Sequence, residues 1–191
     1  MDRRRDRVVF VAHCILDQAT RAWWGEGGAR RERWMLRGVV EVLLRHGVGA
    51  IQMECPEFSL YGNPRPPRSK DGYEEPEFKG RCREIAEQTC DAVDRLRRLG
   101  RDPEIEVAAI VGVEGSPSCG VSTVPRTVGG EVVELPGRGH LMEALEAEMR
   151  RRGVEIPMVG VRLGTGEEGL KRLEDLCSKP RRAREPSAST R

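Results

Sequence analysis

The sequence lacks a hydrophobic run long enough to cross a membrane. Its apolar stretches all fall well short of the roughly 20 residues that a membrane helix needs. The first residues, MDRRRDRVVFVAHCIL, contain an apolar run that is too brief and too polar for a signal peptide. We therefore expect a cytoplasmic protein with no membrane partner.

Aromatic residues are also scarce, and the net charge is small. Aromatics make up 4% of the chain, and 33 Lys and Arg against 31 Asp and Glu leave a charge of +2. Such a balanced chain has no global field to attract a nucleic acid. A basic tail, residues 178–191, lacks interleaved aromatics and has nothing to bury, so we expect it to be disordered. The charge pattern argues against nucleic acid as a partner.

The six cysteines include no CxxC pair. Such pairs are typical of structural zinc sites, so zinc is poorly supported, though it stays an alternative. A secreted chain could join six cysteines in three disulfides. Here the thiols are widely scattered in a large chain without a signal peptide, and we expect them to be reduced. Metal binding and catalysis are therefore the roles to consider.

Short β-branched runs alternate with amphipathic segments up to about residue 177. The predicted strands are RVVFVAHC, VGAIQME, IEVAAIVGV and IPMVGVRL, and the predicted helices cover about 30–46, 77–99, 141–153 and 166–177, with a hairpin-like segment TVGGEVVELPGRG between the last two strands. This alternation predicts parallel pairing, right-handed crossovers and helices on both faces. We expect one α/β domain over residues 1–177. Its sheet would be small, doubly wound and parallel, of about four strands, in the Rossmann-like or flavodoxin-like manner.

Three cysteines stand at or just after the carboxyl ends of predicted strands: Cys14, Cys55 and Cys119. Ligands of such sheets bind at this edge, and the alternation would bring all three thiols to it. Cysteine is also a common buried residue, so chance placement is the alternative. The other three, Cys82, Cys90 and Cys177, fall within or near the ends of predicted helices, and we interpret them as packing residues.

Three thiolates at one site suit a soft metal. A [4Fe-4S] cluster is normally held by four cysteines, and with three of them one iron stays open to bind a substrate atom as a Lewis acid. An open iron favours a sulfur-bearing substrate. A fourth ligand could still come from His13 or another cysteine, although His13, next to Cys14 in a strand, should point to the opposite side.

Four segments also carry a resemblance to a known family. They are HCILDQ, IQMECPE with the following YGNPR, residues 73–82, and IVGVEGSPSCGV, which together span most of residues 8–125. On these segments the chain resembles the 2-thiouracil desulfurase-like proteins, especially their desulfidase branch. The resemblance implies an α/β domain with a [4Fe-4S] cluster on three cysteines, whose fourth iron binds the sulfur of a thiolated compound such as a thiouracil. By motif position the ligands would be Cys14, Cys55 and Cys119.

The function that follows is an iron-sulfur-dependent desulfidase. It would remove sulfur from a thiolated nucleobase-like or other thiocarbonyl compound by a hydrolytic reaction that needs no electron donor. The open iron would polarise the C–S bond, water would add to the carbon, and a carboxylate would move the protons. Glu57 is the first candidate because it shares a loop with Cys55; capping of loop amides is its alternative role. Glu114 is the second, with an exposed loop charge as its alternative.

Further residues in these loops have candidate roles. Ser116 and Ser118 flank Pro117 and could donate hydrogen bonds to cluster sulfurs or to the substrate, or simply form a turn. Arg65, between two prolines, could offer a fixed fork to a carbonyl or a phosphate, unless it is solvated. Trp23 and Trp24 could wall a planar ligand, line an interface, or pack in the interior.

Two other functions fit parts of the pattern. A non-enzymatic iron-sulfur sensor or carrier could use the same three cysteines. A nucleotide binder is the weaker rival, because GVEGSPSCG lacks the lysine of a phosphate loop and does not fit GxGxxG. The identity of the thiolated substrate and the oligomeric state stay open.

Overall fold

Strands and helices alternate along the chain in the computed structural model, which describes residues 5–22, 35–163 and 166–178. The strands are β1 (Arg5–Val11), β2 (Gly49–Gln52), β3 (Glu104–Val113), β4 (Thr123–Val128), β5 (Glu131–Pro136) and β6 (Met158–Val161). The helices are α1 (His13–Leu16), α2 (Arg37–His46), α3 (Pro56–Tyr61), α4 (Pro76–Leu99), α5 (His140–Arg152) and α6 (Glu167–Ser178), with 3-10 turns at Gln18–Thr20 and Lys70–Tyr73. Trp23, Trp24 and the tail beyond Ser178 lie outside the described residues.

Four of the strands form one parallel sheet in the order β2-β1-β3-β6. The chain moves outward from β1 to β2 in one direction and from β3 to β6 in the other, so the order reverses between β1 and β3. Both central strands are buried, with Val9 and Val11 of β1 and Ala109 and Val111 of β3 fully enclosed. The predicted doubly wound α/β fold is confirmed. Its switch point, where such folds bind ligands, lies at the carboxyl ends of β1 and β3.

Helices cover the sheet as two layers. Helix α2 packs against α6, and α4 packs against α5. Gly47 and Gly153 adopt left-handed conformations, with φ of 60° and 64°, and end α2 and α5. These two glycine stops are where the sequence predicted them, because glycine takes this conformation without a Cβ clash. None of the described helices combines the length and apolarity needed to cross a bilayer.

Two predicted boundaries were wrong. The first long helix begins at Arg37 rather than near residue 30, and Met35, which precedes it, is 52% exposed. Strand β1 ends at Val11, and His13–Leu16 forms a helical turn in place of a strand end. His13 and Cys14 therefore do not point to opposite sides of a strand.

The stretch after Cys55 was predicted to be irregular, but it contains a short helix. Pro56 occupies the first turn of α3, where its missing N–H costs nothing, and the Sγ of Cys55 accepts the N–H of Phe58. The cap explains why the helix starts at this residue. A cysteine that caps a helix has no distinctive sequence signature, so the sequence pattern alone did not reveal α3.

The hairpin-like segment forms a separate two-stranded antiparallel sheet, β4–β5. Gly129 and Gly130 make its turn with positive φ at both positions, as a tight hairpin requires. Asp71 accepts hydrogen bonds from the Arg126 side chain and the Thr127 N–H, which tie β4 to the 3-10 turn at Lys70–Tyr73. The hairpin is thereby fixed beside the carboxyl edge of the main sheet.

Candidate functional site

A pocket of about 410 Å³ opens at the carboxyl edge of the sheet, at the switch point. Cys14, Cys55 and Cys119 all line it, although they are about 40 and 64 residues apart in the chain. Pro125 and Val132 of the hairpin also line it. The structure therefore brings together the three thiols that the sequence placed at three strand ends.

Cys14 and Cys55 come from the short helices that follow β1 and β2. Cys14 lies in α1, and burial, with a smaller effect of the Cys55 charge, raises its pKa to about 12. Cys55 is the N-cap of α3, and burial, followed by the Glu57 charge, raises its pKa to about 11. Both side chains keep partial exposure. Ionisation of either thiol at neutral pH is therefore disfavoured.

Cys119 sits deeper, on the SPSCG turn after β3, and is 6% exposed. Burial raises its pKa well above the usual range, and the charges of Cys14 and Cys55 raise it further. Three thiols that oppose each other's ionisation at one site can all become thiolates only when a cation compensates their charge. The donor set therefore fits a metal centre.

The SPSCG turn is locked by close backbone contacts. A Cβ on Gly139 would lie 2.3 Å from the carbonyl carbon of Ser118. In α5, which begins next to Gly139, the His140 N–H donates to Pro117 O and the Leu141 N–H donates to Ser118 O, both at 3.0 Å. The turn is thus docked on the N-terminus of α5, and only glycine at position 139 permits that approach.

Glu57 is the more deeply buried of the two carboxylates that line the pocket, at 8% exposure. Its Oε1 accepts a hydrogen bond from the Ser118 hydroxyl at 2.5 Å, and its Oε2 accepts one from the Tyr73 hydroxyl at 3.2 Å. Arg65 Nε lies 3.6 Å from the same Oε2. These partners are side chains, so the contacts do not support the alternative in which Glu57 caps loop amides.

The hydrogen bonds around Glu57 determine which atoms the hydroxyl groups of Ser116 and Ser118 donate to. Because the single proton of the Ser118 hydroxyl goes to Glu57, the Ser116 hydroxyl is the donor in the 3.3 Å contact between the two serines. Ser116 Oγ in turn accepts the Cys119 N–H at 3.0 Å. A chain of polar contacts therefore runs from the backbone of one candidate ligand to the carboxylate.

Tyr73 is a functional candidate that the sequence reasoning missed as an individual residue. It is fully buried, and its ring stacks on Phe78 with centroids 4.5 Å apart. Burial, followed by the Glu57 charge, raises the pKa of its hydroxyl, which therefore stays a donor. Its only signal in the sequence was its place at the start of the segment 73–82.

Glu114 also lines the pocket, but its oxygens are occupied. They accept hydrogen bonds from the Ser122 N–H, the Thr123 N–H and the Thr123 hydroxyl, at 2.8–3.1 Å. The side chain also fills the space that a Cβ on Gly160 would need. These contacts make Glu114 a brace for the loop that follows the SPSCG turn.

Two basic residues among the sequence candidates, Arg65 and His13, also line the pocket. Arg65 is 6% exposed, so the solvated alternative does not describe it. His13 lines the pocket with its Nε2 3.4 Å from Asp17 Oδ2. His13 thus stands near Cys14 although it was predicted to point away from it.

The remaining cysteines are packing residues in the structure. Cys82, Cys90 and Cys177 are at most 4% exposed and lie on the buried sides of α4 and α6. Within the described ranges, no three His, Cys, Asp or Glu side chains are grouped tightly enough to hold one metal ion.

A match to a family sequence profile identifies the relatives of this chain. The profile described as "Putative 2-thiouracil desulfurase" matches residues 7–135. The chain belongs to this family. The matched part of this desulfurase-family chain includes every pocket cysteine together with Glu57, Arg65 and the SPSCG turn, whereas α5 and Gly139 lie beyond it.

Two further proteins are similar to this member of the desulfurase family. An uncharacterized protein of Methanocaldococcus jannaschii is 26% identical over 153 residues, which are 80% of this chain and 84% of that protein. The solved structure of a [4Fe-4S]-dependent thiouracil desulfidase, TudS, is 23% identical, with a TM-score of 0.47. That alignment covers 81% of this chain and 90% of the TudS chain.

Proposed function

We propose that this protein is an iron-sulfur-dependent desulfidase that removes sulfur from a thiolated nucleobase-like or other thiocarbonyl compound. The reaction would be hydrolytic, exchanging the sulfur of the substrate for the oxygen of water and releasing sulfide without an electron donor. The observation that carries the proposal is the meeting of Cys14, Cys55 and Cys119 in one pocket beside the buried carboxylate of Glu57. Membership of the desulfurase family supports it.

The three cysteines would hold a [4Fe-4S] cluster. They line one pocket in which burial raises the pKa of all three thiols and neighbouring cysteine charges raise that of Cys14 and Cys119 further, an arrangement that a cationic, thiophilic group relieves. When bound, the cluster would supply one iron without a protein ligand, a Lewis acid for the thiocarbonyl sulfur. The pocket volume of about 410 Å³ falls in the range of small-molecule sites.

Glu57 would act as the general acid/base. Its carboxylate takes a proton from the water that adds to the thiocarbonyl carbon, and it returns a proton to the departing sulfur. Ser118 and Tyr73 each donate to one of its oxygens, so the carboxylate is held in one orientation before the substrate arrives. The buried position keeps bulk water from competing for these hydrogen bonds.

Ser116, Ser118 and Glu114 would have positioning roles. Ser116 fixes the Cys119 N–H, and Ser118 links the same turn to Glu57. Glu114 gathers the amides of Ser122 and Thr123 and so braces the wall next to the turn. In this assignment Glu57 moves protons and the other three residues hold the pocket in shape.

Isotope labelling tests the proposal directly. Anaerobic, cluster-loaded protein is mixed with 2-thiouracil in ¹⁸O-labelled water without any reductant. We expect one sulfide released for each uracil formed, with ¹⁸O in the new carbonyl group. Loaded protein that releases no sulfide from any thiolated base would contradict an enzymatic role and would support a sensor or carrier.

A further inference from the structure

The Arg65 guanidinium is almost wholly buried, yet only part of its hydrogen-bonding capacity is used. It lines the pocket at 6% exposure. Its Nη1 donates to Gly62 O and to Asn63 Oδ1, both at 2.9 Å. These bonds fix one edge of a planar group to the loop after α3, so the whole fork is held rigidly.

The other two nitrogens of Arg65 differ in their access to the pocket. Nε is sealed from solvent, makes no hydrogen bond to the described residues, and lies 3.6 Å from Glu57 Oε2. Nη2 has no hydrogen-bond partner in those parts of the chain either, but it is not sealed off as Nε is. A charged donor left without a partner is costly, so this position favours a ligand that supplies an acceptor. Since Arg65 lines the pocket and its other nitrogens are sealed or bonded, Nη2 is the nitrogen left for a molecule bound there.

The charges around Arg65 favour a neutral acceptor. Arg65 and Glu57 form a buried pair whose charges cancel. A phosphate or carboxylate bound there would add a negative charge next to Glu57 and close to cysteine sulfurs that are themselves negative when they bind metal. A carbonyl oxygen accepts the same hydrogen bond and adds no net charge.

We infer that Arg65 is a specificity-determining residue whose Nη2 donates a hydrogen bond to a neutral carbonyl oxygen of the substrate. This inference rests on the proposed function and narrows it to heterocycles that carry a carbonyl group as well as a thiocarbonyl group. Thiouracils belong to this class. Thiopyridones, which have a thiocarbonyl and a ring N–H but no carbonyl, do not.

A matched pair of compounds tests the inference. We compare sulfide release from 2-thiouracil and from 2-thiopyridone by the cluster-loaded wild type and by Arg65→Lys. Lysine keeps the positive charge beside Glu57 but lacks the planar fork. We expect kcat/KM for 2-thiouracil to fall about 10- to 100-fold, the usual effect of losing a hydrogen bond from a charged donor, and kcat/KM for 2-thiopyridone to fall less than about threefold. Equal losses for both compounds would show that Arg65 only supports Glu57 or the fold.

Affinity for compounds without sulfur separates this inference from the desulfidase proposal. Calorimetry should show that Arg65→Lys weakens the binding of uracil about 10-fold or more and leaves that of pyrimidine, which has no carbonyl oxygen, unchanged. If the wild type released no sulfide from either thiolated compound, the desulfidase proposal would fall, while these affinities would still decide the role of Arg65. Uracil binding that does not change in the variant would overturn the inference.

Two controls complete the design. Arg68 also lines the pocket, but it is 40% exposed in its side chain and lies over the Tyr61 and Tyr73 rings at 5.1 and 5.4 Å. Arg68→Lys should therefore leave the preference for 2-thiouracil over 2-thiopyridone unchanged. Inorganic phosphate that competes with uracil in the wild type but not in Arg65→Lys would show that the residue binds an anion, against the inference.

Discussion

The six cysteines occupy two different environments, although all of them are free thiols. Three lie in loops or short helical turns at the carboxyl edge of the sheet and line one pocket. The other three lie on the buried sides of α4 and α6, among apolar side chains. Burial alone does not separate the two groups, since Cys119 at 6% exposure is nearly as buried as Cys177 at 4%. What separates them is the element that carries them, and the topology alone gathers the first group.

Cys82 is the hardest of the six cysteines to assign to one of the two groups. It lies on α4 at 1% exposure, and burial, then the charges of Glu57 and Cys55, raise its pKa to about 12. It therefore sits close behind the pocket without being among the described residues that line it. A cysteine can thus lie close to the pocket without lining it.

The largest effect should come from replacing the pocket cysteines. We expect Cys14→Ala, Cys55→Ala and Cys119→Ala each to lose most of their iron, and sulfide release to fall more than about 100-fold, because each removes a ligand. Cys90→Ala is the matched control. It should keep its iron and lose about 1 kcal/mol of unfolding free energy, measured by denaturation, for the small cavity left in α4. Iron loss in Cys90→Ala equal to that of the other three would break the comparison.

The next largest effect should be a difference in kcat between variants of the two pocket carboxylates, Glu57 and Glu114. Glu57→Gln should lower kcat for sulfide release about 100- to 1,000-fold while iron content stays at the wild-type level, because the amide cannot carry the proton. Glu114→Gln should lower kcat far less, since the oxygens of Glu114 hold loop amides. Steady-state kinetics on both loaded variants gives the ratio. A larger loss of kcat in Glu114→Gln would reverse the assignment.

The glycines at the two ends of α5 offer a similar contrast. Gly139→Ala would place a Cβ 2.3–2.8 Å from backbone atoms of Ser118 and Cys119. We expect this variant to fold with less bound iron and an altered visible spectrum, because the turn that carries Cys119 must shift. Gly153→Ala has no atom within 4 Å of its new Cβ but keeps a positive φ, so it should cost about 1–2 kcal/mol of stability and leave the spectrum unchanged. Identical spectra for both variants would remove Gly139 from the site.

The sequence predicted the sheet and its ligand edge because both follow from local patterns. A β-branched run marks a strand, and a thiol just after it reaches the same edge as the thiols after its neighbours. Those patterns placed Cys14, Cys55 and Cys119 correctly in one pocket. They did not reveal α1 or α3, since short helices at strand ends depend on caps such as Cys55 Sγ.

Residues that act through distant contacts could not be found from the sequence. Tyr73 reaches Glu57 only because folding brings the 3-10 turn close to α3, and its hydrogen bond spans 16 residues. Gly139 matters because α5 docks on the SPSCG turn about 20 residues earlier in the chain. Neither contact leaves a periodic or compositional trace, so only the folded arrangement identifies them.

The smallest effect concerns the hairpin rather than the cysteines. Hydrogen bonds from Arg126 and Thr127 lower the pKa of Asp71 from 3.8 to about 2. A carboxylate with a lowered pKa stabilises the folded state above the unfolded pKa, and that contribution is lost as the pH falls from about 4 to about 2. We expect the protection factors of the β4 amides, which correct for the intrinsic pH dependence of exchange, to fall over this range in the wild type. In Asp71→Asn they should be lower at neutral pH and respond less to acid; equal acid responses would contradict the assignment.

Metal analysis of the protein as purified without oxygen tests the central claim most directly. The account predicts a brown protein with about four irons and four acid-labile sulfides per chain, as a [4Fe-4S] cluster requires, whose sulfide release is lost when the iron is chelated. A colourless protein that holds zinc and releases sulfide at the full rate would contradict it.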